Sequence, residues 1–173
     1  MARLYHYVGP APVRERVAGT LAGVPIAAAD DLSRWVDTTG QKPEPAGRVT
    51  ATFVVDEQGV LLVADRRSEH IACSGGLPVL SAGEMFLSRD GTGWRVDEVS
   101  NQSTGFCPEP ESWPAVAAAL GRAGIPHSGG FTSAVVFRRC PRCSQRNVVR
   151  DGWFVCAACG ADLPAAWNFA EGG

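Results

Sequence analysis

The sequence predicts an α+β fold: an antiparallel sheet with two or three helices, closed by a C-terminal zinc-ribbon hairpin. Three observations predict it. The middle of the chain is a series of short β-rich runs separated by turn residues. Helical apolar stripes occur only as isolated stretches before and after those runs. Four of the six cysteines fall in two Cys-x-x-Cys pairs near the carboxyl end. With 173 residues, 45% hydrophobic and 20% charged, the chain is rich enough in apolar side chains to bury a core, which a disordered chain is not. No stretch approaches the roughly 20 apolar residues of a membrane-spanning helix. The segment from Met1 to Val8 lacks an apolar h-region, so no secretory signal is expected.

Residues 3–8 read as a short strand, broken by Gly9-Pro10 and Pro12, and Val13 to Ala18 as one or two helical turns. A firmer helix follows. Asp30 or Asp31 suits its N-cap, Leu32, Trp35 and Val36 form its apolar stripe, and Gly40 ends it. Gln41 to Gly47, with two prolines, is a loop. Val49 to Val55 and Val60 to Ala64 are strands around the turn Asp56-Glu57-Gln58-Gly59. Val79-Leu80, Glu84 to Leu87 and Trp94 to Val99 are further strands, the last two joined through Asp90-Gly91-Thr92-Gly93. A helix then carries Pro114 in its first turn, where a missing N–H costs little, buries Val116, Ala119 and Leu120, and stops at Gly124. Phe131 to Phe137 is the final strand, leading through Arg138 and Arg139 into the first cysteine. The expected units are 1–137, the α+β domain, and 138–173, a ribbon packed on it through Trp153, Phe154, Trp167 and Phe169.

The metal ligands are Cys140, Cys143, Cys156 and Cys159. A two-residue gap lets both sulfurs of a pair converge on one ion from a tight turn, and twelve intervening residues suffice for a hairpin that returns the chain to it. Asn147 to Arg150 and Trp153 to Val155 are the expected strands of that hairpin, with Asp151-Gly152 as its turn. Gly160 can supply the positive φ a knuckle requires. One structural Zn²⁺ is the predicted cofactor. Because zinc binds thiolates, the expected compartment is reducing, most simply the cytoplasm.

Charge divides unevenly. Residues 1–137 hold eleven basic and fifteen acidic groups, net −4, whereas residues 138–160 hold five arginines against Asp151 alone, net +4. Arg138, Arg139, Arg142, Arg146 and Arg150 are therefore candidate partner-binding residues, for an acidic protein or for nucleic acid. The competing account is that they offset the charge of a Zn(Cys)₄ centre, formally −2. No membrane partner is expected.

Three stretches carry a family resemblance: His70-Ile71-Ala72-Cys73-Ser74-Gly75-Gly76, Val79-Leu80-Ser81-Ala82-Gly83-Glu84, and Asn101-Gln102-Ser103-Thr104-Gly105-Phe106-Cys107-Pro108. Their order resembles a domain of many bacterial proteins, secreted toxin and effector polypeptides among them, and of plant IQ-motif proteins. That pattern ends in Asn-x-Ser-Gly-His-Tyr-x-Pro; this chain has Gly105 and Phe106 in place of the histidine and tyrosine. The resemblance covers about residues 60–124 and implies fold and a bacterial, conflict- or defence-linked context. It implies no reaction.

Three function readings follow, the third being weak nucleic-acid binding by the basic ribbon. The first is a non-catalytic, zinc-stabilised binding or adaptor protein. The second is a small hydrolase or transferase in which His70, with Glu84 or Ser103, performs the chemistry; Asn101 would line the same pocket and Cys107 is an alternative nucleophile. Against it, Asn101, Ser103 and Thr104 are also turn formers that bond their own backbone. Cys73 and Cys107 with His70 supply three ligands of a second metal site, or are buried small hydrophobes.

Overall fold

The computed structural model describes residues 2–169. In chain order the elements are α1 (Ala11–Arg16), β1 (Val24–Ile26), α2 (Ala29–Thr39), β2 (Val49–Asp56), β3 (Leu61–Asp65), α3 (His70–Cys73), β4 (Val79–Asp90), β5 (Gly93–Ser100), a 3₁₀ turn (Pro110–Ser112), α4 (Trp113–Arg122), β6 (Val136–Arg139) and β7 (Arg146–Val149). The first five strands form one antiparallel sheet in the order β1-β3-β2-β4-β5; β6 and β7 form a separate two-stranded sheet. The expected α+β architecture is therefore present.

Strand β2 lies at the centre of the larger sheet, and its VTATFVVD run is buried on both faces. Side chains alternate across a strand. Ala51, Phe53 and Val55 accordingly face a cluster with Leu32 and Trp35 of α2 and Val116 and Leu120 of α4. Val54 faces the opposite side, with Tyr5, Ile71 of α3, Val79 and Phe106. Helices α2 and α4 thus cover one face, and the amino-terminal segment with α3 covers the other.

Several expectations are corrected in detail. Asp30 and Asp31 lie within the first turn of α2, and the N-cap is Ala28. Asp31 still serves the helix end by reaching back: its carboxylate accepts the Ala27 and Ala28 N–H groups at 2.9 and 3.0 Å. Those bonds and Arg34 hold Asp31 below the usual carboxylate range. Val79-Leu80 and Glu84–Leu87 are parts of one long strand, β4. Gly83 joins them because a Cβ there would lie 1.9 Å from the Ser100 carbonyl oxygen, so only glycine allows β5 to pass this close. The expected strand at residues 3–8 reduces to a single bridge, Tyr5 to Val79. Strand β1 lacks a sequence signal; its three residues include a proline.

Candidate metal centre

The ribbon is built differently from the expected hairpin. Strand β6 pairs with β7 across the first knuckle, matching Val136 with Val149 and Arg139 with Arg146. Val136–Arg139 is regular strand, whereas residues 131–135 follow β5 irregularly through a bridge from Ser133 to Ser100. Trp153 to Val155 make only isolated bridges, Arg150 to Trp153 and Val155 to Asp162. A tight Cys-Pro-Arg-Cys turn is itself a hairpin connection, which explains why the strands flank it.

The two knuckles are near copies of each other. Cys140 N–H donates to Gln145 C=O at 2.8 Å and Ser144 N–H to Cys140 C=O at 2.9 Å; in the second, Cys156 N–H donates to Ala161 C=O at 2.8 Å and Gly160 N–H to Cys156 C=O at 2.9 Å. The residue after each second cysteine is left-handed, Gly160 at φ 72° as expected and Ser144 at φ 62°. Each turn aims backbone N–H groups at its leading sulfur. Those of Cys143 and Arg142 hold the Cys140 thiol below its ordinary value. Burial alone would raise Cys156, but the N–H groups of Cys159 and Ala158 and the Asn147 amide bring it down to about 6.

The four sulfurs lie within 4.8 Å of one another. Cys140 and Cys159 are 3.6 Å apart, as are Cys143 and Cys156, and all four are unbridged. An ion bound at about 2.3 Å by four tetrahedral sulfurs sets them roughly 3.8 Å apart, whereas a disulfide brings two within about 2.05 Å. Donor type, number and spacing therefore fit a single metal ion. Leu163, Val149 and Phe154 pack around the cluster.

The ribbon is docked rather than tethered. Arg138 is buried; its guanidinium donates to Glu109 Oε1 at 2.7 Å, to Phe137 C=O at 2.6 Å and to Ala165 C=O at 2.6 Å. Asn168 pairs with both backbone groups of Arg139, at 2.8 and 2.6 Å. Trp167 donates its indole N–H to Cys107 C=O at 2.9 Å and sets its ring edge-on to Tyr5. Phe169 lies in a cluster with Phe137 and Cys107. Trp167 and Phe169 thus dock as expected, and Phe154 packs within the ribbon. Trp153, the fourth expected docking aromatic, is 71% exposed. Residues 170–173 of the expected 138–173 unit lie outside the described residues.

The five arginines do not form one patch. Arg138 is a buried staple, removed from the candidate partner surface by its own hydrogen bonds. Arg139 stacks on Phe169 and Arg146 donates to the Thr104 carbonyl. Arg142 and Arg150 are exposed.

The candidate catalytic residues His70 and Ser103 bond to backbone groups, and Glu84 makes no side-chain bond to either. His70 Nε2 donates to the Gly83 carbonyl at 2.9 Å, which fixes the proton on that nitrogen. Burial holds its pKa below 6.5 despite the favourable carbonyl. Glu84 sits on β4 opposite Thr52 and Ser100. Ser103 is buried, its hydroxyl accepting the Phe106 N–H at 3.3 Å. Among the described residues no hydrogen bond joins any two of the three. Cys73 and Cys107 are buried in different clusters, and burial pushes each thiol up to about 12, so both are neutral.

Asn101 is a residue whose role sequence reading missed. Fully buried at the end of β5, it donates to the Pro108 and Val135 carbonyls at 2.8 and 2.7 Å and accepts the Val135 N–H at 2.7 Å. It ties the sheet to the segment entering the ribbon. At Gly105 a Cβ would lie 2.8 Å from the Tyr7 ring, which occupies that side.

A recess of about 610 Å³ opens between the amino-terminal segment and the start of α4, lined by Arg3, Tyr5, Leu80, Glu109, Glu111 and Ser112 among others. The ribbon braces its wall, through Arg138 on Glu109 and Trp167 on Tyr5. No helix among the described residues is long and apolar enough to cross a membrane. No protein-family model, curated protein or solved structure matches the chain.

Proposed function

We propose that the chain is a non-catalytic binding protein of a bacterial cytoplasm, its C-terminal ribbon locked by one structural Zn²⁺ on Cys140, Cys143, Cys156 and Cys159. The observation that carries this reading is the four-sulfur cluster with its two matching knuckles. A tetrahedral all-thiolate donor set suits zinc or iron, and a closed set of four leaves no open position for a reacting ligand. What supports a binding role is that His70, Glu84 and Ser103 are not assembled into a catalytic group, while the ribbon is fastened to the sheet and braces an adjacent recess. The likeness to toxin- and effector-borne domains makes a conflict or defence setting part of the same proposal.

Amide hydrogen exchange on metal-loaded and chelated protein tests it. Chelation should strip protection from residues 136–163 and leave the amides of β2 and β4 protected. Unchanged protection of the ribbon after verified metal loss would contradict the structural role.

A further inference from the structure

We infer that the outer edge of the ribbon is a weak binding platform for single-stranded nucleic acid, with Trp153 stacking on a base and Arg150 and Arg146 on phosphates. This deepens the binding role proposed above and rests on it.

Trp153 is the largest exposed apolar side chain among the described residues, and its place is fixed by the fold. Asp151 at φ 52° and Gly152 at φ 70° make a turn with both central residues left-handed, closed by Trp153 N–H to Arg150 C=O at 2.9 Å. Trp153 and Arg150 are therefore held opposite each other at the hairpin tip. Side-chain alternation sets Arg146, Val148 and Arg150 on one side of β7 and its continuation, and Val148 is 40% exposed. A shallow trough of about 490 Å³ runs from Arg146 past Val148 and Arg150 to Ala157 and Ala158. Neither Arg142 nor Arg150 has a carboxylate partner among the described residues, nor does Arg146.

An exposed indole opposite the Arg150 guanidinium, with Arg146 farther along the same trough, matches the way single strands are bound: stacking tolerates any base, and cations track the backbone. A duplex keeps its bases stacked and so offers no free base face to an exposed indole, which a single strand does. An acidic protein would satisfy the arginines and leave the exposed indole unexplained. The acidic body does not forbid the contact, because charges more than about 8 Å away are largely screened at physiological salt.

The experiment is fluorescence anisotropy of a labelled oligothymidylate, titrated with protein whose zinc content has been measured, alongside heparin and polyglutamate. Two or three phosphate contacts predict affinity falling roughly 7- to 18-fold between 50 and 200 mM salt. Trp153→Ala should weaken binding at least about five-fold, Trp153→Phe should largely restore it, and Arg146→Ala with Arg150→Ala should flatten the salt slope by about 1.4. Trp153→Ala is on the surface and leaves the knuckles intact. Equal competition by heparin with no effect of Trp153→Ala would overturn stacking in favour of bare charge. Tighter binding of polyglutamate would overturn it in favour of an acidic protein. Zinc-replete protein that ignores the oligonucleotide defeats this inference alone, whereas protein that takes up no metal defeats the reading beneath it.

Discussion

Among the described residues, nineteen buried apolar side chains meet on one face of the body's sheet, Phe53, Met85 and Leu120 among them, whereas the cluster around the ribbon's knuckles buries only Cys140, Cys156 and Leu163. The first set is ample to offset the ordering of its chain; the second is not, because so short a segment cannot bury enough surface by itself. The ribbon must draw its order from elsewhere: from a seam of specific contacts with the body and, on the function proposed above, from an ion among the sulfurs. Separating those sources is what the predictions do.

The largest effect should come from the ion. Cys156→Ser removes one ligand of four, and structural zinc contributes on the order of 10–16 kcal/mol in small modules. The variant should lose its metal and the near-ultraviolet dichroism of the ribbon while the sheet retains its far-ultraviolet signal and a cooperative melt. Loss of both signals together would show that the body depends on the ribbon and would erase the distinction between them.

Next comes the seam. Arg138→Met should cost about 3–5 kcal/mol, because it strands the Glu109 carboxylate, only 14% exposed, without its cation. Adding Glu109→Leu should recover much of that loss, since replacing both members of a buried pair by apolar side chains is often neutral. Urea denaturation of the two variants measures this. Equal destabilisation of the double variant would place the energy in the carbonyl contacts of Arg138 rather than in the pair.

Much of this was legible in the chain. The β-rich runs and the turns between them announced β2, β3, β5 and the two halves of β4, the Leu32-Trp35-Val36 stripe announced α2, and the cysteine spacing announced the four-sulfur cluster. Four things were not legible, each for a physical reason. β1 is three residues with a proline, and its existence depends on pairing with β3, a tertiary fact. The ribbon's strand pairing was misjudged because both Cys-Pro-Arg-Cys and Asp151-Gly152 are good turns, and only packing chooses between them. Arg138 resembled a surface cation in composition, yet its place two residues before Cys140 turns it inward to Glu109 and the Ala165 carbonyl. Likewise Asn101 and Ser103 carried a polar signature that chemistry and turn-making share.

Smaller effects sharpen the equivalence of the two knuckles. Ser144 adopts the left-handed conformation that costs a side-chain-bearing residue roughly 1–2 kcal/mol, whereas Gly160 adopts it freely. Ser144→Gly should raise the melting temperature of the metal-loaded ribbon, and Gly160→Ser should lower it. Opposite signs would mean that the Ser144 side chain contributes more than its backbone strain removes.

The smallest effect belongs to the body. Burial holds the His70 pKa below its ordinary value of 6.5 in the folded state, while the unfolded chain titrates at that value. Between those two values the unfolded state binds the extra proton, so stability should fall as pH drops below about 6.5 and stay flat above it. His70→Asn should reduce this slope, as read from the denaturation midpoint of the sheet; a slope unchanged by the substitution would assign the acid sensitivity to other groups.

The central claim, that one ion gathers four sulfurs and gives the ribbon its shape, is tested most directly by X-ray absorption on metal-loaded protein with metal content measured per chain. The predicted result is one zinc per chain in a single shell of four sulfurs at about 2.3 Å. Sulfur–sulfur bonds among the four cysteines, or a metal shell dominated by oxygen and nitrogen, would contradict it.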